Sequence, residues 1–168
     1  LGERLVFKGG TALHHCYLPQ HRFSEDLDFT SQDHDLTLEG VISTLESTGQ
    51  FTVRKRYESR ATIKIERLWY AGILAQPGAI KVEVDRLQNV VLPPVIRPYA
   101  NVWGIEVRVR TMDLREIAAE KIRAAATRVR YRDFYDLYLI LEDVNVELDS
   151  IVDLVRQKEV RAPIGPEQ

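Results

Sequence analysis

Short apolar runs, each closed by glycine, proline or charge, dominate the first two thirds of the chain. Leu5, Val6 and Phe7 form an unbroken apolar triplet, the pattern of a short buried strand. Gly9-Gly10 follows as a tight turn, and a helix is predicted over 11–18, beginning at Thr11 and stopped by Pro19. Residues 22–30 alternate in character. Phe23, Leu27 and Phe29 fall on one side and Ser24, Asp26 and Asp28 on the other, which predicts a half-buried strand with both aspartates facing the same way. Helical spacing over 38–45 gives a further helix. Residues 51–57 and 61–69 then read as antiparallel strands, with Ile63, Ile65 and Trp69 in phase. Ile80, Val82 and Val84 alternate with Lys81, Glu83 and Asp85, a strand with one charged face, and after a proline-rich crossing 105–109 is the last strand.

The period changes at Asp113. Asp113 and Glu116 make the D-x-x-E form of a capping box, and Leu114, Ile117, Ala118, Lys121, Ile122 and Ala125 follow at helical spacing. Further helices are predicted over 133–141 and 148–160, with a frayed tail after Ala162. Strands first and helices afterwards predict an α+β fold. Its α/β core spans 1–110 and its helical lobe 111–168, and together they form one compact domain. Because Leu5 opens a strand almost at the start, a fragment lacking its leading part is expected.

Composition narrows the classes. The 168 residues are 45% hydrophobic, enough to bury one core. A formal net charge of -2 supplies no global cationic field, so any polyanion must be held by a local patch. Lys121, Arg123, Arg128, Arg130 and Arg132 are the one concentrated basic run, either a solvated helix face or, for Arg128, Arg130 and Arg132, a surface for an RNA backbone. A single cysteine, Cys16, excludes an internal disulfide and a CxxC metal site, which fits a reducing cytoplasm. No apolar run approaches the roughly 20 residues that span a bilayer. His14, His15 and Cys16 lie about 100° apart around a helix and form no metal spacing. Trp69, Trp103, Tyr131, Tyr135 and Tyr138 are expected to pack in the core or lobe, although Tyr131 could also stack on a base.

Two constellations could carry chemistry. Lys8-Gly9-Gly10-Thr11 stands at a strand-to-helix turn, where glycines permit close backbone approach and a helix N-terminus offers unpaired N–H groups to phosphate; a plain turn is the alternative. Asp26 and Asp28, about 7 Å apart along a strand, repel each other unless a divalent cation joins them; a solvated edge strand is the alternative. Arg22 and Ser24 precede the pair.

The order K-G-G-T-A-L, then R-F-S-E-D-L-D-F, resembles the opening motif of the nucleotidyltransferase-fold AbiEii/AbiGii toxins, whose relatives include the mycobacterial MenT toxins. Ala119-Glu120-Lys121, Arg128 and Arg132-Asp133-Phe134-Tyr135-Asp136 resemble that family's second segment, so the likeness runs over residues 5–141. It implies a nucleotidyltransferase-like mixed sheet and transfer of a nucleotide from an NTP, with Mg²⁺, to an acceptor such as tRNA or other RNA. A toxin role with a cognate antitoxin is implied too. Lys8, Gly9, Gly10, Thr11 and Ser24 would receive the nucleotide, and Asp26 and Asp28 the metal. Glu83 or Asp85 would add a third carboxylate, Glu83 fitting the family's strand better. Lys121 would neutralise phosphate, and Asp133 or Asp136 would position it, orient the acceptor or act as a base. Lys121 sits at a core-facing phase, so it is expected to meet one of these carboxylates and to face Asp26 and Asp28 across a single pocket. The family's helical segment before the first strand has no counterpart here. A non-catalytic NTP-binding module and a small-molecule nucleotidyltransferase are the rival readings.

Overall fold

The computed structural model describes residues 1–19, 22–33, 35–143 and 146–158. The first element, β1 (Leu5–Lys8), runs directly into α1 (Gly9–Cys16), and β2 (Asp26–Ser31) returns beside it. Then come α2 (Leu38–Glu46), β3 (Phe51–Glu58), β4 (Thr62–Ala71), β5 (Pro77–Asp85), β6 (Val95–Pro98) and β7 (Arg108–Thr111). The last three elements are α3 (Leu114–Arg128), α4 (Tyr131–Asp143) and α5 (Leu148–Gln157). Among the described residues the strands form one sheet of order β3-β4-β5-β2-β1-β7-β6. β2 runs parallel to β5, and β1 parallel to β7; the other neighbours are antiparallel. The fold is α+β with a mixed sheet.

Several elements depart from the predicted ones for local reasons. Gly9 and Gly10 are the first two residues of α1, not a turn before it, because Gly9 takes a positive φ of 75° and lets the strand pass into the helix with no linker. β2 begins only at Asp26, so Phe23 lies outside the alternation and is exposed. A register irregularity between Ile65 and Leu68 shifts the phase of β4. Leu68 therefore takes the buried face with Ile63 and Ile65, and Trp69 turns the other way, with Arg54 over its ring. The proline-rich crossing contains the unpredicted β6, which Pro98 ends at an outer position of the sheet. Trp103, Tyr131 and Tyr138 are exposed, against the expectation of packing. The predicted end of α5, at 160, lies outside the described residues.

Two apolar clusters hold these elements. One joins α2 to the inner sheet face through Val41, Ile63, Ile65, Val82 and Val84. The other joins Val6, Phe7 and Leu13 to Met112, Ile117, Ile140 and Ile151, so the C-terminal helices share a core with β1 and α1. The capping box is half formed: the Asp113 carboxylate accepts from Arg115 N at 3.0 Å. Glu116 instead turns inward and accepts from Val91 N and Leu92 N, each at 2.9 Å, fixing the crossing. α3 ends at Val129, a β-branched residue at φ 46°, where left-handed backbone is strained. That reversal folds α4 back along α3. Asp133, Asp136, Leu139 and Ile140 form the buried stripe of α4, and its first two members are carboxylates.

Candidate active site

Strand register assembles the charged face. Lys64 of β4 pairs with Glu83 of β5, Glu83 with Asp28 of β2, and Asp28 with Lys8 of β1. Cross-strand partners point to the same side of a sheet, so these four form one ladder with two carboxylates at its centre and an ammonium at each end. Lys64 Nζ stands 3.2 Å from Glu83 Oε2. Two residues along β2, Asp26 pairs with Lys81, whose Nζ donates to Asp26 Oδ2 at 3.2 Å. Burial pushes the Asp28 carboxyl pKa up; Lys8 opposes this, and the charges of Glu83 and Asp26 add to it. Burial disfavours the Lys81 ammonium, yet its hydrogen bond to Asp26 and the charges of Asp26, Glu83 and Asp28 leave its pKa raised. Asp85 shares the face but serves the turn after β5, its Oδ1 accepting from Leu87 N at 3.0 Å and Gln88 N at 2.9 Å.

The glycines leave space that side chains of the site fill. A Cβ on Gly9 would lie 2.5 Å from Asp28 Oδ2, and one on Gly10 would lie 2.8 Å from Arg22 Nη2 and 2.9 Å from Ser24 Oγ. The N-cap residue Lys8 makes no side-chain cap at the start of α1, and Gly9 and Gly10, the first residues of that helix, line the site. Thr11 is buried beneath this floor; its hydroxyl donates to Asp26 O at 2.6 Å and lies 2.9 Å from Ser24 Oγ. Lys8 Nζ donates to Gln88 Oε1 at 2.8 Å and lies 3.3 Å from Glu120 Oε2. Behind Glu120, the fully buried Lys158 ammonium is 2.8 Å from Glu120 Oε1 and 2.7 Å from Glu116 Oε1, and it donates to Asn89 O at 2.9 Å. Although burial disfavours the Glu120 carboxylate, Lys8 and Lys158 hold its pKa below the usual range.

The return of α4 brings the second cluster together. Lys121 Nζ lies 3.1 Å from Asp133 Oδ1 and 2.7 Å from Asp136 Oδ2. Asp133 also accepts from Arg128 Nε at 2.8 Å and Nη2 at 2.9 Å. Asp136 accepts from Arg22 Nε at 2.8 Å, from Arg22 Nη2 and from His14 Nε2 at 3.0 Å. Both aspartates are fully buried. Burial opposes their ionisation, but for Asp136 the hydrogen bonds from His14 and Arg22 with the Lys121 charge win, and its pKa falls well below the carboxylate range. Arg128 and Lys121 lower that of Asp133 in the same way.

Both clusters open on one cavity of about 820 Å³. Lys8, Gly9, Gly10, Ser24, Asp26, Asp28, Glu83 and Asp85 line it, with Lys121, Arg128, Arg130 and Arg132. Thr11, Asp133 and Asp136 do not line it and support lining residues from behind. Sequence reasoning missed Lys64 and Glu120 as members of the site, and Lys158 behind it. Lys64 could have been found from the charged side of β4, whereas Lys158 lies 38 residues from Glu120 and leaves no local signal. The oxygen donors of Asp26, Asp28 and Glu83 suit Mg²⁺ in kind and in register. Among the described residues no three His, Cys, Asp or Glu side chains converge as a ligand set, and Asp26 and Glu83 are paired with Lys81 and Lys64.

A family model described as "Nucleotidyl transferase AbiEii toxin, Type IV TA system" matches residues 1–164. The chain belongs to the AbiEii family. Its fold is also that of solved structures. MenT4, a nucleotidyltransferase toxin from Mycobacterium tuberculosis, superposes with a TM-score of 0.73 at 24% identity, over 98% of this chain and 62% of MenT4. An antigenic nucleotidyltransferase-like protein from Paracoccidioides brasiliensis superposes with a TM-score of 0.50 at 15% identity, over 92% of this chain and 78% of that one. This AbiEii chain thus spans under two thirds of MenT4. Among curated proteins no match was found. No helix among the described residues is long and apolar enough to cross a membrane.

Proposed function

We propose that this AbiEii chain transfers a nucleotide from an NTP, with Mg²⁺, to an RNA acceptor such as tRNA, as the toxin of a toxin–antitoxin pair. The observation that supports it is the Lys64–Glu83–Asp28–Lys8 ladder sharing one cavity with Lys121. Asp26, Asp28 and Glu83 would hold Mg²⁺, which supplies charge neutralisation on the triphosphate during in-line transfer. Lys8, Ser24 and the uncapped start of α1 at Gly9 and Gly10 receive phosphate oxygens, with Thr11 setting Ser24 and Asp26 in place. Lys121 offsets phosphate charge from the opposite wall. Asp133 and Asp136 are positioning residues: their oxygens are engaged by Lys121, Arg128, Arg22 and His14, so neither serves as a base. Arg130 and Arg132, exposed on the cavity rim, suit an RNA backbone, and Arg128 extends that rim while held by Asp133. The segments 1–110 and 111–168 act as one unit, because the ladder and Lys121 come from different segments. NTP, Mg²⁺ and tRNA meet in the cytoplasm, where an antitoxin would restrain the enzyme.

The test is incubation with each labelled NTP, Mg²⁺ and total RNA, for the wild type and Asp28→Asn. Wild type should label RNA and the variant should not. Because burial and like charge raise the Asp28 pKa, its ionised form weakens the fold at neutral pH, so the variant's thermal midpoint should be unchanged or higher. No labelling with any NTP, or full activity in Asp28→Asn, would overturn the reading.

A further inference from the structure

Phe23 was expected on the buried side of β2, yet it is 88% exposed and lines the cavity. Its backbone is held from both sides. Arg22, clamped by the buried Asp136, donates through Nη1 to Phe23 O at 3.0 Å. Ser24 Oγ is held 2.9 Å from the buried Thr11 hydroxyl. A bulky apolar ring kept in water is unfavourable, and the two pins keep the chain from folding it inward. Among the described residues no other ring or guanidinium stacks on it. The residues on either side of it, Arg22 and Ser24, are the two that fill the space left by Gly10. An apolar planar surface thus stands one residue from the groups that face the phosphate floor.

We propose that the Phe23 ring is the platform on which the base of the bound nucleoside triphosphate stacks, an inference that rests on the NTP reading above. A nucleotide pairs a polyanion with a flat π face, and this stretch of chain presents a partner for each: Ser24 beside the start of α1 for the phosphates, Phe23 for the base. Every base has a π face, so the contact strengthens binding of all four NTPs and discriminates little among them. A base of the RNA acceptor is the competing occupant. The position of Phe23 between the two residues that abut Gly10 favours the nucleotide.

The test is calorimetric titration, with Mg²⁺, of wild type, Phe23→Ala and Phe23→Tyr, using each NTP and inorganic tripolyphosphate, which has no base. Phe23→Ala should weaken each NTP by between about 5- and 150-fold and leave tripolyphosphate unchanged, while Phe23→Tyr restores NTP affinity. An equal loss for NTP and tripolyphosphate, or no loss for NTP, overturns the inference. So does a defect confined to the KM for RNA, which would place the acceptor on the ring. Wild type that binds neither NTP nor tripolyphosphate overturns the nucleotide reading itself.

Discussion

Replacing Asp136 by asparagine changes one atom and leaves no cavity, so its effect measures the charge that joins α1, the Arg22 segment and α3. Three donors converge on this fully buried carboxylate: His14 Nε2 at 3.0 Å, the Arg22 guanidinium and Lys121 Nζ at 2.7 Å. Asparagine offers them one acceptor oxygen and turns an N–H group toward the rest. Breaking a buried pair costs about 3–5 kcal/mol. Lys121 keeps Asp133, so the lower end, about 3 kcal/mol, is expected. At about 2–4 °C per kcal/mol for a chain of this size, the thermal midpoint should fall by roughly 6–12 °C. The pH dependence gives a second reading. A carboxyl whose folded pKa is depressed contributes stability in full above its unfolded pKa of about 3.9 and loses it as pH falls through the folded value. The wild type's advantage should therefore be largest near pH 7 and shrink below about pH 4. Urea unfolding followed by circular dichroism at pH 7, and at steps down to pH 3, measures both. A difference under about 1 kcal/mol at pH 7, or one that stays constant with pH, would refute the claim that ionised Asp136 holds these elements together.

Other substitutions probe the rest of the site. Gly9→Ala places a methyl where Asp28 Oδ2 would be 2.5 Å away and imposes left-handed backbone, so about 1–2 kcal/mol of stability and most Mg²⁺-dependent NTP binding should be lost; unchanged metal affinity by titration would argue against that fit. Glu83→Gln should abolish Mg²⁺-dependent turnover with little change in melting, whereas Asp85→Asn should lower the melting temperature by loosening the turn at Leu87 and Gln88 and leave the metal requirement intact; the reverse pattern would make Asp85 the third ligand. Lys121→Met should lose transfer and also cost about 3 kcal/mol, because the two buried aspartates keep only Arg128, Arg22 and His14; a variant as stable as wild type in a thermal melt would contradict the packing.

What could be read from the chain was whatever obeys a local period. Alternation put Asp26 and Asp28 on one face of their strand and Lys81, Glu83 and Asp85 on one face of theirs, and helical spacing put Lys121 among core residues. The order of the two motifs was enough for the family. Alternation gives Glu83 and Asp85 the same face, and only the parallel register of β2 with β5 sets Glu83 opposite Asp28 and Asp85 opposite Thr30. The phase of β4 was misread because a bulge carries no pattern, and Trp69 was sent to the wrong side by it. Phe23 was misplaced for a related reason: its apolar character suited a strand, but β2 starts three residues later, where pairing with β5 begins.

The sequence by itself therefore determined most of the elements, the shared faces of Asp26 with Asp28 and of Lys81, Glu83 and Asp85, and the family, because helix and strand periods are properties of neighbouring residues. The tertiary structure decided which charges meet. Arg22 with Asp136 and Lys158 with Glu120 are joined across 114 and 38 residues, whereas Lys121 meets the aspartates its core-facing phase led one to expect. The pairing is set by the reversal at Val129, the clearance at Gly9 and Gly10 and the packing of α5 on α3. A buried charge must find an opposite one, but nothing in a local pattern says from which element that partner will come.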